Sequence, residues 1–140
     1  MASGWVEITV DWLEEMQFSG KNTKGGEIIF GSKKEKPGIA PMELLLVGLA
    51  GCTGVDVVHI LKKKRQPLDD LRLKVRAKTA DEHPKVYTKI ELTYLIWGKG
   101  ISEKAVIKAI NLSEKKYCSA TVMLEKTAEI ISKYEINPTG

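Results

Sequence analysis

The chain carries two cysteines, Cys52 and Cys118, in contrasting settings. Cys52 lies inside an apolar, glycine-interrupted stretch, PMELLLVGLAGCTGVDVVHIL (Pro41 to Leu61), whereas Cys118 follows a charged run in LSEKKYCSA (Leu112 to Ala120). A cysteine in packed surroundings is either a small inert hydrophobe or a placed thiol. That these two are the chain's whole complement shifts the balance toward redox chemistry. In a reducing cytosol a bond between them would be transient and catalytic rather than a static staple.

Other groups near Cys52 in sequence suggest less. Asp56, His59 and Lys63 lie four, seven and eleven positions beyond it and share nearly one helical face. His59 stands roughly 10 Å along the axis, too far for a hydrolase-type Cys–His pair. Asp56, one turn away, opposes formation of a thiolate unless neutralised. Glu43 precedes Cys52 by nine residues, on the opposite side of an unbroken helix, and reaches the thiol only through a kink at the glycines or from a partner chain. A thiol in apolar surroundings needs a cation to react, and the candidates are Arg65, Lys33, Lys34 and Lys36. Two distant cysteines with His59 and His83 match no metal-ligand spacing, so no metal is expected.

These residues need elements to hold them. Val6, Ile8, Val10 and Trp12 alternate with polar residues as a strand does, and apolar pieces come next around Met16 to Phe18 and Ile28 to Phe30, with turns at glycines 20, 25 and 26. A basic loop, Gly31 to Pro41, leads into a long helix from Pro41 to about Lys64, closed by Lys62, Lys63, Lys64 and Arg65. Strands are expected over Leu71 to Thr79 and Val86 to Trp97, joined through Asp81 to Pro84. In the second, Val86, Thr88, Ile90, Leu92, Tyr94 and Ile96 share a face. Ser102 should cap a helix turning Val106, Ile107 and Ile110 toward the core. Another helix starts near Cys118 and runs through Val122 and Leu124, and a final strand covers Ile130 to Ile136. The order predicts a single α+β domain over residues 1–140.

The long helix is apolar on most of its circumference and must be enclosed, which a domain this size does on one side only. Gly48, Gly51 and Gly54, beside Ala50, would let a second backbone approach, so a homodimer is expected. The uncharged run from Glu43 to Asp56 is shorter than a membrane span, and the amino terminus shows no leader pattern; a soluble, cytoplasmic protein is expected. The net charge of +4 rests most visibly on Arg72, Lys74, Arg76 and Lys78, alternating along one strand face. No aromatic residue interleaves them and no nucleic-acid motif surrounds them, so they read as a solvated sheet face.

With these residues in place the chain resembles the OsmC/Ohr family of thiol-dependent peroxidases. Pro41-Met42-Glu43-Leu44-Leu45-Leu46, Gly51-Cys52-Thr53 with Asp56, the Asp81 to Pro84 turn, and Leu112-Ser113 with Tyr117-Cys118 carry the likeness. It implies an OsmC-like fold, an intertwined homodimer with curved antiparallel sheets wrapped around central helices and sites at the subunit interface. It also implies a role for each cysteine. Cys52 attacks an organic hydroperoxide and becomes a sulfenic acid, which Cys118 resolves as a disulfide that an external dithiol reduces, with no cofactor. Such chemistry would serve peroxide detoxification under stress. The family's activating arginine lies in the amino-terminal half, yet no arginine precedes Arg65 here, and the carboxylate expected directly after the proline comes one place later, at Glu43. Arg65 or a loop lysine, from either subunit, is then the substitute cation. Two other readings stand beside this one: a binding protein holding a small hydrophobic or thiol-reactive ligand at the dimer interface without turnover, and a stable dimer in which both cysteines merely fill the core.

Overall fold

The structure, a computed structural model, describes residues 4–139, so Met1 to Ser3 of the amino-terminal stretch lie outside the described residues. It comprises two compact units, one up to Leu45 and one from Leu46 onward.

The first unit holds β1 (Ile8–Glu14), β2 (Gln17–Asn22) and β3 (Glu27–Phe30), an antiparallel sheet in that order. Glu15, with φ of 49°, turns the chain between β1 and β2. Between β2 and β3 the Asn22 carboxamide oxygen accepts from the N–H groups of Lys24 and Gly26, and Gly25 takes φ of 93°. Gly20, expected in a turn, instead sits mid-strand, paired with Val10 and Ile28. The alternation in β1 predicts a strand, and all seven of its residues are exposed, including Ile8, Val10 and Trp12.

Helix α1 (Pro41–Lys63) starts and stops by identifiable devices. Pro41 occupies the first helical position, where its missing N–H costs nothing, and Glu43 Oε1 reaches back to accept the Ala40 N–H at 2.8 Å, half of a capping box. At the other end Arg65 adopts φ of 58°. Its N–H donates to the Lys62 carbonyl and the Gln66 N–H to that of Leu61, the paired bonds of a Schellman stop, with Pro67 beyond. By length and composition α1 is apolar enough to cross a membrane, longer than its uncharged run implied. It is nonetheless a core helix: Leu49, Val57 and Leu61 join one hydrophobic cluster with the second sheet.

That sheet has β5 (Tyr87–Trp97) at its centre, antiparallel to β4 (Asp70–Thr79) and parallel to β6 (Glu129–Ile136). Ile90, Leu92, Tyr94 and Ile96 of β5 are fully buried, while Val86 and Thr88 fall outside the core. Leu71, Leu73, Val75 and Ala77 pack inward from β4, leaving Arg72, Lys74, Arg76 and Lys78 in solvent. Glu91 interrupts this basic face, bonding Arg76 at 2.7 Å and lying 3.8 Å from Lys133. Where β5 and β6 end, the Asn137 side chain clasps both the N–H and the carbonyl of Gly98.

Crossing from β5 to β6 the chain forms α2 (Glu103–Leu112), a π-helical turn (Ser113–Tyr117) and α3 (Ser119–Leu124). Ser102 caps α2 as expected, accepting the Ala105 N–H. The core takes Val106, Ala109 and Ile110 rather than Ile107, which is 39 % exposed because it lies one residue, about 100°, off the buried face. Gly48 and Gly51 lie open, but Gly54 is buried, its Cα facing the Leu73 side chain. A three-residue repeat drifts about 60° per step round a helix, so three such glycines cannot share one face.

Arg65 holds a left-handed conformation that glycine adopts without strain. Arg65→Gly is therefore expected to raise stability by about 1 kcal/mol, read from urea unfolding. A drop of that size would assign the guanidinium a stabilising contact instead.

Candidate active site

Cys52 and Cys118 are both free thiols. Cys52 comes from the middle of α1 and is half-buried; Cys118 lies between the π-helical turn and α3 and is fully buried. The helix and the crossover bring them together across 66 positions of sequence, near enough for the Cys52 thiol to act on that of Cys118. Two features fix Cys118. Its backbone N–H donates to the Ser113 carbonyl at 2.6 Å, closing the π-turn, and its sulfur caps α3 by accepting the Thr121 N–H at 3.4 Å. Burial is the main influence on this thiol and pushes its pKa up; the Thr121 groups oppose that shift and neighbouring Cys52 adds to it.

Polar side chains surround the pair. Tyr94, from the floor of the sheet, donates to Glu114 of the π-turn at 2.5 Å, and Ser132 of β6 donates to the same carboxylate at 2.7 Å. Burial, with Glu114 as acceptor, pushes the Tyr94 phenol far above its ordinary range, so it stays a donor at any physiological pH. Ser113, the residue before Glu114, donates to Asp56 at 3.0 Å and ties the start of the turn to α1. Asp56 is thereby engaged with a hydroxyl rather than a cation. Glu114 and Ser132 were not singled out from the sequence, while Ser113 entered only through the family resemblance and Tyr94 only as part of a strand face; a buried tyrosine and a glutamate 20 positions apart carry no local signal.

The remaining sequence candidates are spread out. Asp56, His59 and Lys63 do form one stripe, lining a hollow of about 540 Å³ with Tyr117. His59 itself is exposed. Arg65 is exposed beyond the carboxyl end of α1, thirteen residues and roughly 20 Å along the axis from Cys52, so within one chain it is not beside the thiols. Glu43 is spent on the helix start, where it accepts the Ala40 N–H. In the first unit Lys33 pairs with Glu14 at 3.2 Å, and the Lys34 N–H donates to Glu15. Among the described residues no cluster of histidine, cysteine and carboxylate is arranged to hold a metal.

The chain belongs to the OsmC-like protein family, whose model matches residues 31–133. It is similar to protein YhfA of Escherichia coli K12, with 34 % identity over 131 residues, covering 94 % of this chain and 98 % of that protein. Among solved structures it is similar to a hypothetical protein from Aquifex aeolicus VF5, at 39 % identity and a TM-score of 0.85, covering 97 % and 98 % of the two chains. The organic hydroperoxide resistance protein OhrB of Bacillus subtilis shares the fold, with a TM-score of 0.62 at 15 % identity over 96 % of this chain and all of that one. The mixed α+β architecture with two sheets and three helices is that of these neighbours.

Exposure separates the two thiols. Iodoacetamide at pH 7 should label Cys52 first, with Cys118 slower by on the order of a hundredfold in the folded chain. Because a raised pKa leaves Cys118 protonated at neutrality, its labelling should accelerate as pH climbs through the alkaline range. Peptide mass spectrometry at timed intervals reads both rates, and equal labelling at pH 7 would contradict this order.

Proposed function

We propose that the protein is a thiol peroxidase that reduces organic hydroperoxides. The observation that carries this reading is the meeting of the chain's two free thiols, one half-exposed and one buried, at one point. Its family includes proteins named for organic hydroperoxide resistance, which supports the substrate class. In this reading the Cys52 thiolate attacks the terminal peroxide oxygen; the O–O bond breaks, an alcohol leaves, and Cys52 becomes a sulfenic acid. The Cys118 thiolate then attacks the Cys52 sulfur, forming the S–S bond and expelling hydroxide, which leaves as water after taking up a proton. An external dithiol reduces the disulfide, and no metal or organic cofactor takes part. The apolar surroundings of Cys52 favour alkyl hydroperoxides over hydrogen peroxide, and the setting is the cytoplasm.

Glu43 and Arg65 are the proposed supporting groups, and Arg65 points to a second copy of the chain. Arg65 is remote from the thiols of its own chain, so an activating role requires it to come from the partner. A homodimer would also cover apolar residues now exposed: Val47, Val55 and Met123 of the second unit, and the face of β1. The same remoteness of Arg65 favours an alternative reading, an interfacial binding site for a hydrophobic or thiol-reactive ligand without turnover.

Reduced protein treated with cumene hydroperoxide should lose two thiols and gain a Cys52–Cys118 disulfide, faster than with hydrogen peroxide. Cys52→Ser should cut dithiol-coupled turnover by on the order of a thousandfold or more, and Cys118→Ser should stop at the sulfenic acid. Unreacted thiols in the wild type would sink the peroxidase reading and leave the binding one. Sedimentation at micromolar concentration should give a dimer; a monomer would remove the interfacial site from either reading.

A further inference from the structure

Thr121 stands in the first turn of α3, three residues beyond Cys118 and 3 % exposed. Its backbone N–H donates to the Cys118 sulfur. Its hydroxyl is the buried side-chain oxygen for which no hydrogen-bond partner is found among the described residues, and its influence on that same sulfur favours the thiolate. A neutral thiol is a weak acceptor, so the hydroxyl gains little while Cys118 is protonated; a thiolate is a strong one. An unsatisfied buried hydroxyl is a burden on stability that valine, of the same shape, would remove. Beside Cys118 that same hydroxyl is placed to gain an acceptor when the sulfur takes on negative charge.

We infer that Thr121 is a positioning residue for the resolving step: its hydroxyl and backbone N–H together steady the Cys118 sulfur as its proton leaves, aimed at an oxidised Cys52. This rests on the peroxidase reading for the attack itself, but the hold on Cys118 is a property of the reduced protein alone. The step has two needs that conflict. The sulfur must be buried to meet Cys52 away from solvent, and burial resists its ionisation. No cationic side chain is described at the pair; the other groups facing Cys118 are the Cys52 thiol from α1 and the Tyr94 phenol from β5, itself bonded to Glu114. None of these brings positive charge. Donors from the short turn that carries Cys118 are what the fold offers instead, and they travel with the cysteine because they belong to the same cap.

Two measurements on the full chain test this. In the first, the Cys118 thiolate is titrated by its absorbance near 240 nm in Cys52→Ser, with and without Thr121→Val. The valine should move the titration to higher pH, Thr121→Ser should restore it, and folding should be unharmed, with a midpoint of unfolding equal to or above that of the parent. An unmoved titration overturns the inference whether or not the protein reduces peroxides. In the second, chains with both cysteines meet cumene hydroperoxide, the Cys52 sulfenic acid is trapped with dimedone, and the disulfide is tracked by mass spectrometry. Thr121→Val should form the sulfenic acid at the parental rate but condense about tenfold more slowly, with the pH profile of condensation displaced upward. Condensation at the parental rate and pH profile also overturns it. If the parent forms no sulfenic acid, the peroxidase reading fails and the titration alone decides the role of Thr121.

Discussion

Everything at the candidate site depends on how α1 is seated on the sheet of β4, β5 and β6. Leu49, Val57 and Leu61 lock into a cluster with Ile90, Leu92 and Ile96 of the central strand and Val106 and Ala109 of α2, all fully buried. Gly54 sets how near the helix comes, since a Cβ there would press on the Leu73 side chain at 3.2 Å. With these contacts made, the helix has one permitted rotation. Cys52 then falls at the margin between the buried side and the open side of Gly51 and Val55. That margin is the place where a thiol can touch an interior partner and still be approached from outside.

The apolar seating fixes the helix, and a polar set fixes the turn opposite. Glu114 accepts from both Tyr94 and Ser132, and Ser113 donates to Asp56. Each bond contributes about 1 kcal/mol net, but a part-buried carboxylate left without its donors would cost more than that, so the group holds together as a unit. The anchors run from the turn to the sheet and to α1. They join the elements carrying the two cysteines more stiffly than side-chain packing alone.

Much of this was legible from local rules. The bounds of α1 stem from Pro41, Glu43 and the lysine-rich end; the period-two runs locate β4 and the buried half of β5; and Ser102 announces α2. Residues whose roles depend on remote partners were not legible. The parallel pairing of β6 with β5 leaves no trace in either strand. Gly54 resembles Gly48 and Gly51 in sequence and differs only in what lies across from it. Arg65 looks like a spare cation, yet its backbone forms a helix stop usually given to glycine. Thr121 has no distinguishing pattern at all, because its significance is the lack of a partner. The alternation in β1 marks the strand without settling its burial, because an apolar face turned outward produces the same alternation.

The π-helical turn has one more consequence, for how the chain tolerates changes in length. Between Ser113 and Cys118 the backbone bond spans five residues where an α-helix spans four, so this turn contains one residue in excess. Removing one of Lys115 to Tyr117 would place Cys118 four residues beyond Ser113, the α-helical spacing, so that its N–H meets the same carbonyl and the sulfur keeps its place. Adding a residue would instead put six between them, a spacing no regular helix bonds, and would carry Cys118 about 100° round from its place beside Cys52. The turn therefore bears the loss of a residue better than the gain of one, and its length acts together with the Ser113 and Glu114 anchors in setting where Cys118 lies.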